Sequence, residues 1–191
     1  MKATHYIYIL FAALLTLTCV GCEDRLNIEK HGSLGGPENY YKTDEEAEAA
    51  VASMLISWRD VYSNWFYVKN LLSDDAYAGG GSRGDNAQME QLNEFTFFTD
   101  NSMISGLYSG LYTLVYKANL IIENVTGESP IMKRAVAEAK FYRAWAYLEL
   151  VTLWGTAPLV DHLLAPSEYH VSNSTPEVLW AFVEQNLEEA I

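Results

Sequence analysis

The spacing of apolar residues along residues 44–65 predicts a long amphipathic helix. Thr43 stands before this stretch and Glu46 follows three residues later, which is the pattern of a capping box at a helix start. Apolar residues then recur at alternating steps of four and three, as they do on one face of a helix. This face consists of Ala47, Val51, Met54, Trp58, Val61 and Trp65. It predicts a helix that packs on its neighbours along one side.

The same alternation occurs twice more, in two stretches separated by a very short link. The second row contains Leu107, Leu111, Leu114, Ala118, Ile121 and Val125, and the third contains Ala137, Phe141, Ala144, Leu148 and Val151. Only residues 126–130 (TGESP) lie between them. We predict that Gly127 ends one helix in the left-handed conformation and that Ser129 caps the next ahead of Pro130. So short a link predicts an antiparallel helical hairpin.

Both of these helices carry a second apolar row, which predicts that each is sandwiched between neighbours. The additional residues are Tyr108, Tyr112, Val115 and Ile122 on one helix and Tyr142, Trp145 and Tyr147 on the other. The sequence therefore predicts an all-α fold of layered antiparallel helix pairs with long irregular loops. No strict repeat of about 34 residues can be laid on the chain.

The last part of the chain predicts an irregular return followed by one more helix. Gly155 is placed to end the third helix, and Thr175 is placed to cap the fourth ahead of a proline. The apolar positions of this fourth helix are Trp180, Val183, Leu187 and Ala190. The helix reaches Ile191 without a stop signal and with one apolar face unpartnered. We therefore expect residues 43–191 to be an incomplete N-terminal helical domain of a longer protein.

The first residues have the pattern of an export signal. The apolar run YIYILFAALLTLT at residues 6–18 follows a basic start and is too short to span a membrane comfortably. Gly21 then precedes Cys22. This arrangement resembles a bacterial lipoprotein signal, in which the cysteine becomes the first mature residue and carries acyl chains such as palmitate. We expect residues 1–21 to be removed and Cys22 to be lipidated.

Other interpretations of the two cysteines stay open. Cys19 and Cys22 have the C-x-x-C spacing of a redox couple or half a zinc site, but neither a βαβ pattern nor a second ligand pair accompanies them. A secretory peptide that is cleaved without lipidation is a further alternative. Residues 22–42 mix charges with several glycines and a proline, and we predict that they form an extended tether.

The charge of the chain excludes one class of partner. The formal net charge is −13 at pH 7, and all 25 Asp and Glu residues follow Cys22. A surface this acidic repels the phosphate backbone of nucleic acids, and we therefore expect no nucleic acid partner. His31, His162 and His170 have no companion at metal-ligand spacing, so we expect neither a metal site built on them nor a cofactor.

The long segment of residues 71–100 contains the candidate ligand-binding residues. Sugars are bound by flat aromatic faces together with side chains that form several hydrogen bonds. The segment offers this combination in Tyr77, Arg83, Asp85 and Asn86, beside the glycines at 79–81. A solvated loop without a ligand is an equally simple interpretation. The glycines could also suggest a phosphate-binding loop, but the segment lacks the strand-loop-helix context and the following lysine of such a loop. Calcium binding by Asp74, Asp75 and Asp85 lacks the spacing of an EF-hand loop.

Two polar residues on the helices have structural interpretations. Asn119 lies on the same side as the second apolar row, and we expect a buried side chain with satisfied hydrogen bonds rather than a ligand contact. Arg143 lies between aromatic residues, and we expect it to join an ion pair or to stack on a ring.

One stretch of the chain is similar to a known family. Residues 137–160 (AEAKFYRAWAYLELVTLWGTAPLV) resemble the signature of SusD/RagB-type outer-membrane lipoproteins, in which an AEAxFxRAxxY helix leads into an aromatic-Gly-x-x-Pro-Leu-Val turn. Residues 112–121 (YTLVYKANLI) are similar to the family's Tyr…Ala-Asn-x-Ile helix. Residues 22–27 resemble its mature start, and residues 175–191 its next capped helix.

The resemblance implies tetratricopeptide-like helix pairs and a binding function without chemistry. It implies a lipid-anchored protein on the outer face of the outer membrane, where the acidic residues after Cys22 resemble a surface-export tag. The ligand would be a glycan or similar nutrient, delivered to a SusC-like TonB-dependent transporter. Ser82-Arg83-Gly84 resembles the Arg-Gly loop that some family members bring to the glycan. Family chains are much longer than this one.

Two other functions remain alternatives. One is a lipoprotein scaffold of helical repeats that binds only protein. The other, a helical glycoside hydrolase, needs two carboxylates that flank a sugar bond. Acidic residues are abundant, but none stands in an apolar frame that would raise its pKa for acid catalysis.

Overall fold

Five α-helices account for most of the residues that the structure, a computed structural model, describes; these are residues 40–73 and 75–191. The helices are α1 (Asp44–Leu71), α2 (Ala87–Asn93), α3 (Ser102–Asn124), α4 (Pro130–Trp154) and α5 (Pro176–Glu189). Between α4 and α5 lie a two-residue strand β1 (Ala157–Pro158), a 3-10 turn (Pro166–Glu168) and a strand β2 (Asn173–Ser174) that pairs antiparallel with β1.

The core lies where α1, α3, α4 and α5 pack on one another. α3 and α4 form the predicted hairpin, α1 packs on both, and α5 packs on α4. The predicted row of α3 is entirely buried, and in the row of α1 Trp58 and Trp65 are half-buried while the others are buried. The largest fully buried side chains are Tyr147, Met54, Leu92, Leu107, Leu111, Leu114, Ile121, Leu150 and Leu179.

Local sequence signals place the helix ends. The Thr43 hydroxyl accepts a hydrogen bond from the Glu46 backbone N–H at 3.2 Å, and the Glu46 carboxylate accepts one from the Thr43 N–H at 3.0 Å. The Ser129 hydroxyl accepts from the Met132 N–H at 3.1 Å, so the predicted cap of α4 is confirmed. Gly155 ends α4 at a φ of 73°, as predicted.

The role predicted for Gly127 is wrong. α3 ends at Val125 in an extended conformation, and of the glycines that the structure describes only Gly84 and Gly155 have a positive φ. A Cβ atom on Gly127 would collide with the sulfur of Met132. The glycine therefore permits a close approach of the link to the first turn of α4, not a left-handed turn.

The predicted apolar rows of α4 and α5 are correct only in part. Ala144 and Val151 are buried, but Phe141 is 48% exposed. α4 is in contact with α1, α3 and α5, so its buried residues are spread around the helix and include the alanines that let neighbours approach. A single row could not represent three contact faces.

On α5, the predicted row is buried at Val183, as expected, but the side that faces the core otherwise differs from the predicted one. Trp180 and Leu187 are exposed, whereas Leu179, Val183 and Asn186 are buried. Apolar periodicity missed this side because it contains Asn186, whose buried amide oxygen accepts two hydrogen bonds from Arg143. A polar residue takes a core position here because its partner is also in the core.

Buried polar side chains fasten the return segment after α4. Asn119 donates to the carbonyl oxygens of Val160 and His162 at 3.0 Å, so its predicted structural role is confirmed. The Tyr147 hydroxyl accepts from the Val160 N–H at 2.7 Å, and burial raises the pKa of Tyr147. Arg143 stacks on the Phe182 ring at 5.0 Å, as predicted, and its guanidinium donates to neutral oxygens.

Aromatic rings form a continuous row where α1 lies against α4. The Trp58 ring centroid is 5.7 Å from that of Tyr142 and 6.1 Å from that of Trp145. The row continues along α1 through Trp65 and Tyr62 to Phe66. Within residues 40–73 and 75–191, no helix has the length and apolar character that crossing a membrane requires.

Candidate functional site

The segment between α1 and α3 contains a concave surface, which we call the concave site. Its lining residues come from residues 77–83, before α2, and from α2 and its C-terminal end. They are Tyr77, Ala78, Gly79, Gly80, Ser82, Arg83, Glu90, Asn93 and Glu94, around a cavity of about 220 Å³. Pockets that enclose a drug-sized ligand measure about 300–1,000 Å³. The concave site is therefore suited to contact part of a larger ligand from one side.

The helix α2 is anchored to the start of α3, which gives the site a firm base. Leu92 is fully buried. The side-chain amide of Asn101 donates to the Gln88 carbonyl oxygen at 3.0 Å and to the Gln91 side chain at 3.1 Å. The Asn101 oxygen accepts from the backbone N–H groups of Met103 and Ile104, so the same residue caps α3.

The loop before α2 is held by Asp85. Its two carboxylate oxygens accept from the N–H and the hydroxyl of Ser82, each at 2.8 Å. Both hydrogen bonds lower the pKa of Asp85, and the bond from the Ser82 backbone N–H has the larger effect. A Cβ on Gly80 would lie 2.9 Å from the Asp85 carboxylate, and Gly84 has a φ of 95°. The backbone conformation therefore favours glycine at 84, and Gly80 leaves room for the Asp85 carboxylate.

The polar groups of the concave site come from three side chains beside Arg83. Arg83 forms an ion pair with Glu94 at 2.7 Å and remains 79% exposed. The Glu90 carboxylate accepts from the Gly84 N–H at 2.6 Å. The Asn93 oxygen accepts from the Ala78 N–H at 3.3 Å, which ties the far wall to α2.

Two exposed aromatic residues accompany these polar groups, one in the wall of the site and one next to Glu94 in the sequence. Tyr77 is 82% exposed in the wall of the site. Phe95 follows Glu94 and is 60% exposed at a φ of 55°. Its N–H donates to the Leu92 oxygen and the Thr96 N–H donates to the Gln91 oxygen, which is the Schellman pattern that glycine usually completes. A phenylalanine in this left-handed position costs about 1–2 kcal/mol. Strain of this kind clusters at functional sites.

This arrangement suits a ligand rich in hydroxyl groups. Carboxylates and amide oxygens accept from hydroxyls, a guanidinium and an amide donate to them, and exposed rings offer apolar faces. Asp74 lies outside the described residues, so the calcium interpretation that includes it stays a prediction. In the rest of residues 40–191, no three His, Cys, Asp or Glu side chains cluster closely enough to hold a metal ion.

Comparison with known proteins identifies the family. A SusD-like family model, described as "Starch-binding associating with outer membrane", matches residues 36–191. This chain belongs to the SusD-like family. The SusD-like protein P2 of Formosa agariphila is 32% identical over 172 residues, which are 86% of this chain and 33% of that protein.

Solved SusD-like structures have the same fold. A laminarin-binding SusD-like protein is 31% identical, with a TM-score of 0.68 over 79% of this chain and 34% of that one. A SusD homologue of Bacteroides thetaiotaomicron, 23% identical, gives a TM-score of 0.69 over 81% of this chain and 31% of that one. The predicted all-α, tetratricopeptide-like fold is thereby confirmed. The chain spans about a third of the length of the relatives it matches.

In this SusD-like chain, the four predicted ligand residues have different positions. Tyr77 and Arg83 line the concave site. Asp85 and Asn86 do not line it. Asp85 binds Ser82, and the Asn86 oxygen caps α2 by accepting from the Met89 N–H at 3.2 Å. A direct role of these four residues in ligand binding stays a prediction. The predicted lipidation site, Cys22, lies outside the described residues.

Sequence reasoning missed the half of the concave site that α2 supplies. Glu90, Asn93 and Glu94 line the site because α2 turns them toward the loop. A helix of seven residues is too short for apolar periodicity to reveal it. The available signal was Asn86 followed by AQMEQL, a cap residue ahead of strong helix formers.

Proposed function

We propose that this SusD-like chain belongs to a cell-surface lipoprotein that binds a glycan at the concave site and delivers it to a SusC-like TonB-dependent transporter. The observation that carries the proposal is the convergence of Arg83, Asn93 and exposed Tyr77 on one concave surface. The family description as starch-binding and the 31% identical laminarin-binding neighbour support a carbohydrate as the ligand.

The proposed binding uses two kinds of contact. Sugar hydroxyls donate to the carboxylate oxygens of Glu90 and Glu94 and accept from Arg83 and Asn93. The ring face of Tyr77 covers the apolar face of a sugar, and the exposed ring of Phe95, which follows the lining residue Glu94, contacts the part of the glycan that extends beyond the site. A hydrogen bond to a charged group contributes about 1.5–3 kcal/mol. A few such bonds and one or two stacked rings support binding at a shallow surface.

The test is glycan titration by calorimetry, with laminarin and amylopectin as the probes. Arg83→Ala and Tyr77→Ala should each weaken binding by about tenfold or more, since each removes one polar or one aromatic contact. Arg59→Ala is the matched control, because Arg59 is also an exposed arginine, 72% accessible, and forms an ion pair with Asp60 on α1. Equal losses in Arg83→Ala and Arg59→Ala would remove the concave site from the proposal.

We propose lipidation of Cys22 as the anchor. The support is the signal pattern at residues 6–22 and the outer-membrane association in the family description. More than one acyl chain holds a protein stably on a membrane. Mass spectrometry of the native N-terminus should find residues 1–21 absent and acyl chains on Cys22. Cys22→Ala should move the protein from the membrane fraction to the aqueous fraction.

Delivery to a transporter is tested separately from binding. The chain should copurify with a SusC-like TonB-dependent transporter from the same cells, whether or not Arg83 is intact. This expectation places the transporter contact outside the concave site. Copurification that requires glycan and fails with Arg83→Ala would contradict that placement.

We propose binding without catalysis. Glu90 and Glu94 both line the concave site, so the hydrolase alternative has two carboxylates on which to rest. Release of reducing ends from laminarin or amylopectin by the wild-type chain, and its loss in Glu90→Gln, would establish the hydrolase instead.

The scaffold alternative rests on the exposed Tyr62, Phe66 and Tyr67 of α1. Glycan binding that depends on Arg83 would exclude a purely protein-binding scaffold.

A further inference from the structure

The segment of sequence that supplies the concave site has strongly unbalanced charges. Between Leu72 and Asn101 the sequence contains one basic residue, Arg83. The acidic residues of the same segment are Asp74, Asp75, Asp85, Glu90, Glu94 and Asp100. Of these, Glu90 and Glu94 line the site directly, and an Asp85 carboxylate oxygen lies 2.9 Å from where a Cβ on the lining residue Gly80 would be.

The single positive charge is already compensated. The Arg83 guanidinium lies 2.7 Å from one carboxylate oxygen of Glu94 and 2.8 Å from the other. Arg83 therefore presents donor N–H groups to a ligand without presenting a net positive charge. Glu90 adds a second negative charge to the lining, and its hydrogen bond from the Gly84 N–H keeps the carboxylate at the loop.

We infer that Glu90 and Glu94 make the concave site selective for uncharged glycans against sulfated or uronate-bearing ones. This inference rests on the proposed glycan-binding function. Sugar hydroxyls can donate to the two carboxylates, whereas a sulfate or carboxylate group has no proton to donate and meets like charge. Glu94 also acts as a positioning residue, since it orients Arg83 and cancels its attraction for anions.

The discrimination has an electrostatic signature. Repulsion between exposed charges is screened by salt, and the Debye length falls from about 30 Å at 0.01 M to about 3 Å at 1 M ionic strength. The affinity for an anionic glycan should therefore rise with salt, while that for the neutral parent should change little. A steric cause of discrimination would not depend on salt.

The experiment compares matched ligands on the full chain. Laminarin and amylopectin are each titrated beside a sulfated derivative of the same backbone and length. At 0.01 M salt the sulfated form should bind about tenfold more weakly than its parent, and the difference should narrow at 1 M. Glu94→Gln keeps an oxygen that can accept from Arg83 but removes the negative charge. Glu90→Gln likewise keeps an oxygen that can accept from the Gly84 N–H and removes the negative charge.

The variants decide the role of the two glutamates. Glu94→Gln should narrow the ratio of the neutral to the sulfated affinity about tenfold. This ratio is the readout, because loss of the charged acceptor also weakens binding of the neutral form. Glu90→Gln should act in the same direction. Glu188→Gln, which changes the net charge equally at an exposed position of α5, should leave the discrimination unchanged.

The outcomes separate the inference from the proposed function. Sulfated and neutral forms that bind equally, or a preference for the sulfated form, would overturn the inference while glycan binding stood. The same discrimination in wild type and in the Glu94→Gln, Glu90→Gln double variant would also overturn it. Absence of binding by every neutral and sulfated probe would overturn both the inference and the proposed function.

Discussion

Arg143 donates a 2.7 Å hydrogen bond from Nη1 to the side-chain oxygen of Asn119, and this buried pair joins α4 to α3. The same nitrogen donates to the Asp161 carbonyl oxygen at 2.8 Å, and Asn119 donates to the carbonyl oxygens of Val160 and His162. The pair therefore holds the backbone that follows β1. Asn186 of α5 completes the network from the other side.

Replacement of Arg143 by alanine should lower the free energy of unfolding by about 3 kcal/mol. The change leaves the buried oxygens of Asn119 and Asn186 without their donor, and each unsatisfied buried group costs about 1–3 kcal/mol. Urea denaturation measures the loss. Arg134→Ala is the control on the same helix, since Arg134 forms only exposed ion pairs, with Glu48 and Glu138, and each such pair contributes at most about 1 kcal/mol. Similar losses in both variants would show that the network adds no stability.

Gly155→Ala should lower the free energy of unfolding by about 1–2 kcal/mol. Gly155 has a φ of 73° and open space around its Cβ position, so the cost comes from backbone conformation and not from a clash. Thermal unfolding gives the change in Tm. Gly79→Ala serves as the comparison, because Gly79 also has open space but lacks a positive φ. Tm changes of equal size would contradict the conformational explanation.

Phe95→Gly should separate stability from binding. Glycine takes the left-handed position without the penalty that phenylalanine carries, so the free energy of unfolding should rise by up to about 1 kcal/mol. Laminarin binding should weaken at the same time, because the exposed ring is lost. Urea denaturation and calorimetry provide the two measurements.

Phe98→Gly is the matched variant, since Phe98 is also exposed but has no positive φ. It should not gain stability. If Phe95→Gly left glycan affinity unchanged, the strained ring would have no part in binding.

The hydrogen bonds between Asp85 and Ser82 should weaken in acid. The N–H and hydroxyl of Ser82 lower the pKa of Asp85 below its ordinary value of 3.8. Because the folded-state pKa is depressed, the stabilisation is complete above pH 3.8 and disappears as the pH falls through the lower folded value. NMR titration of the Asp85 carboxyl carbon should give a midpoint below 3.8.

Ser82→Ala removes the donor hydroxyl and should move that midpoint upward, toward the ordinary value. Because Asp85 stays ionised above its lowered pKa, it should cause no change in the glycan affinity of the wild type between neutral pH and about pH 4.5. A midpoint at or above 3.8 in the wild type would mean that Ser82 does not hold Asp85.

The sequence by itself determined the features that depend on neighbours along the chain. Capping at Thr43 and Ser129 and the turn at Gly155 follow from local hydrogen bonds and backbone preferences. The buried face of α3 follows from apolar periodicity, since every residue of the first row predicted for this helix is buried. The signature at residues 137–160 was sufficient to indicate the family.

Tertiary structure decided the features that depend on what packs against each element. Asn186 faces the core because Arg143 is there to donate to it, and Gly127 leaves the space that the Met132 sulfur occupies. α2 is too short to reveal itself by periodicity, so the arrival of Glu90 and Glu94 beside Arg83 could not be predicted. Apolar patterns record which side of a long helix is buried, but they contain no information on which distant polar side chains will meet.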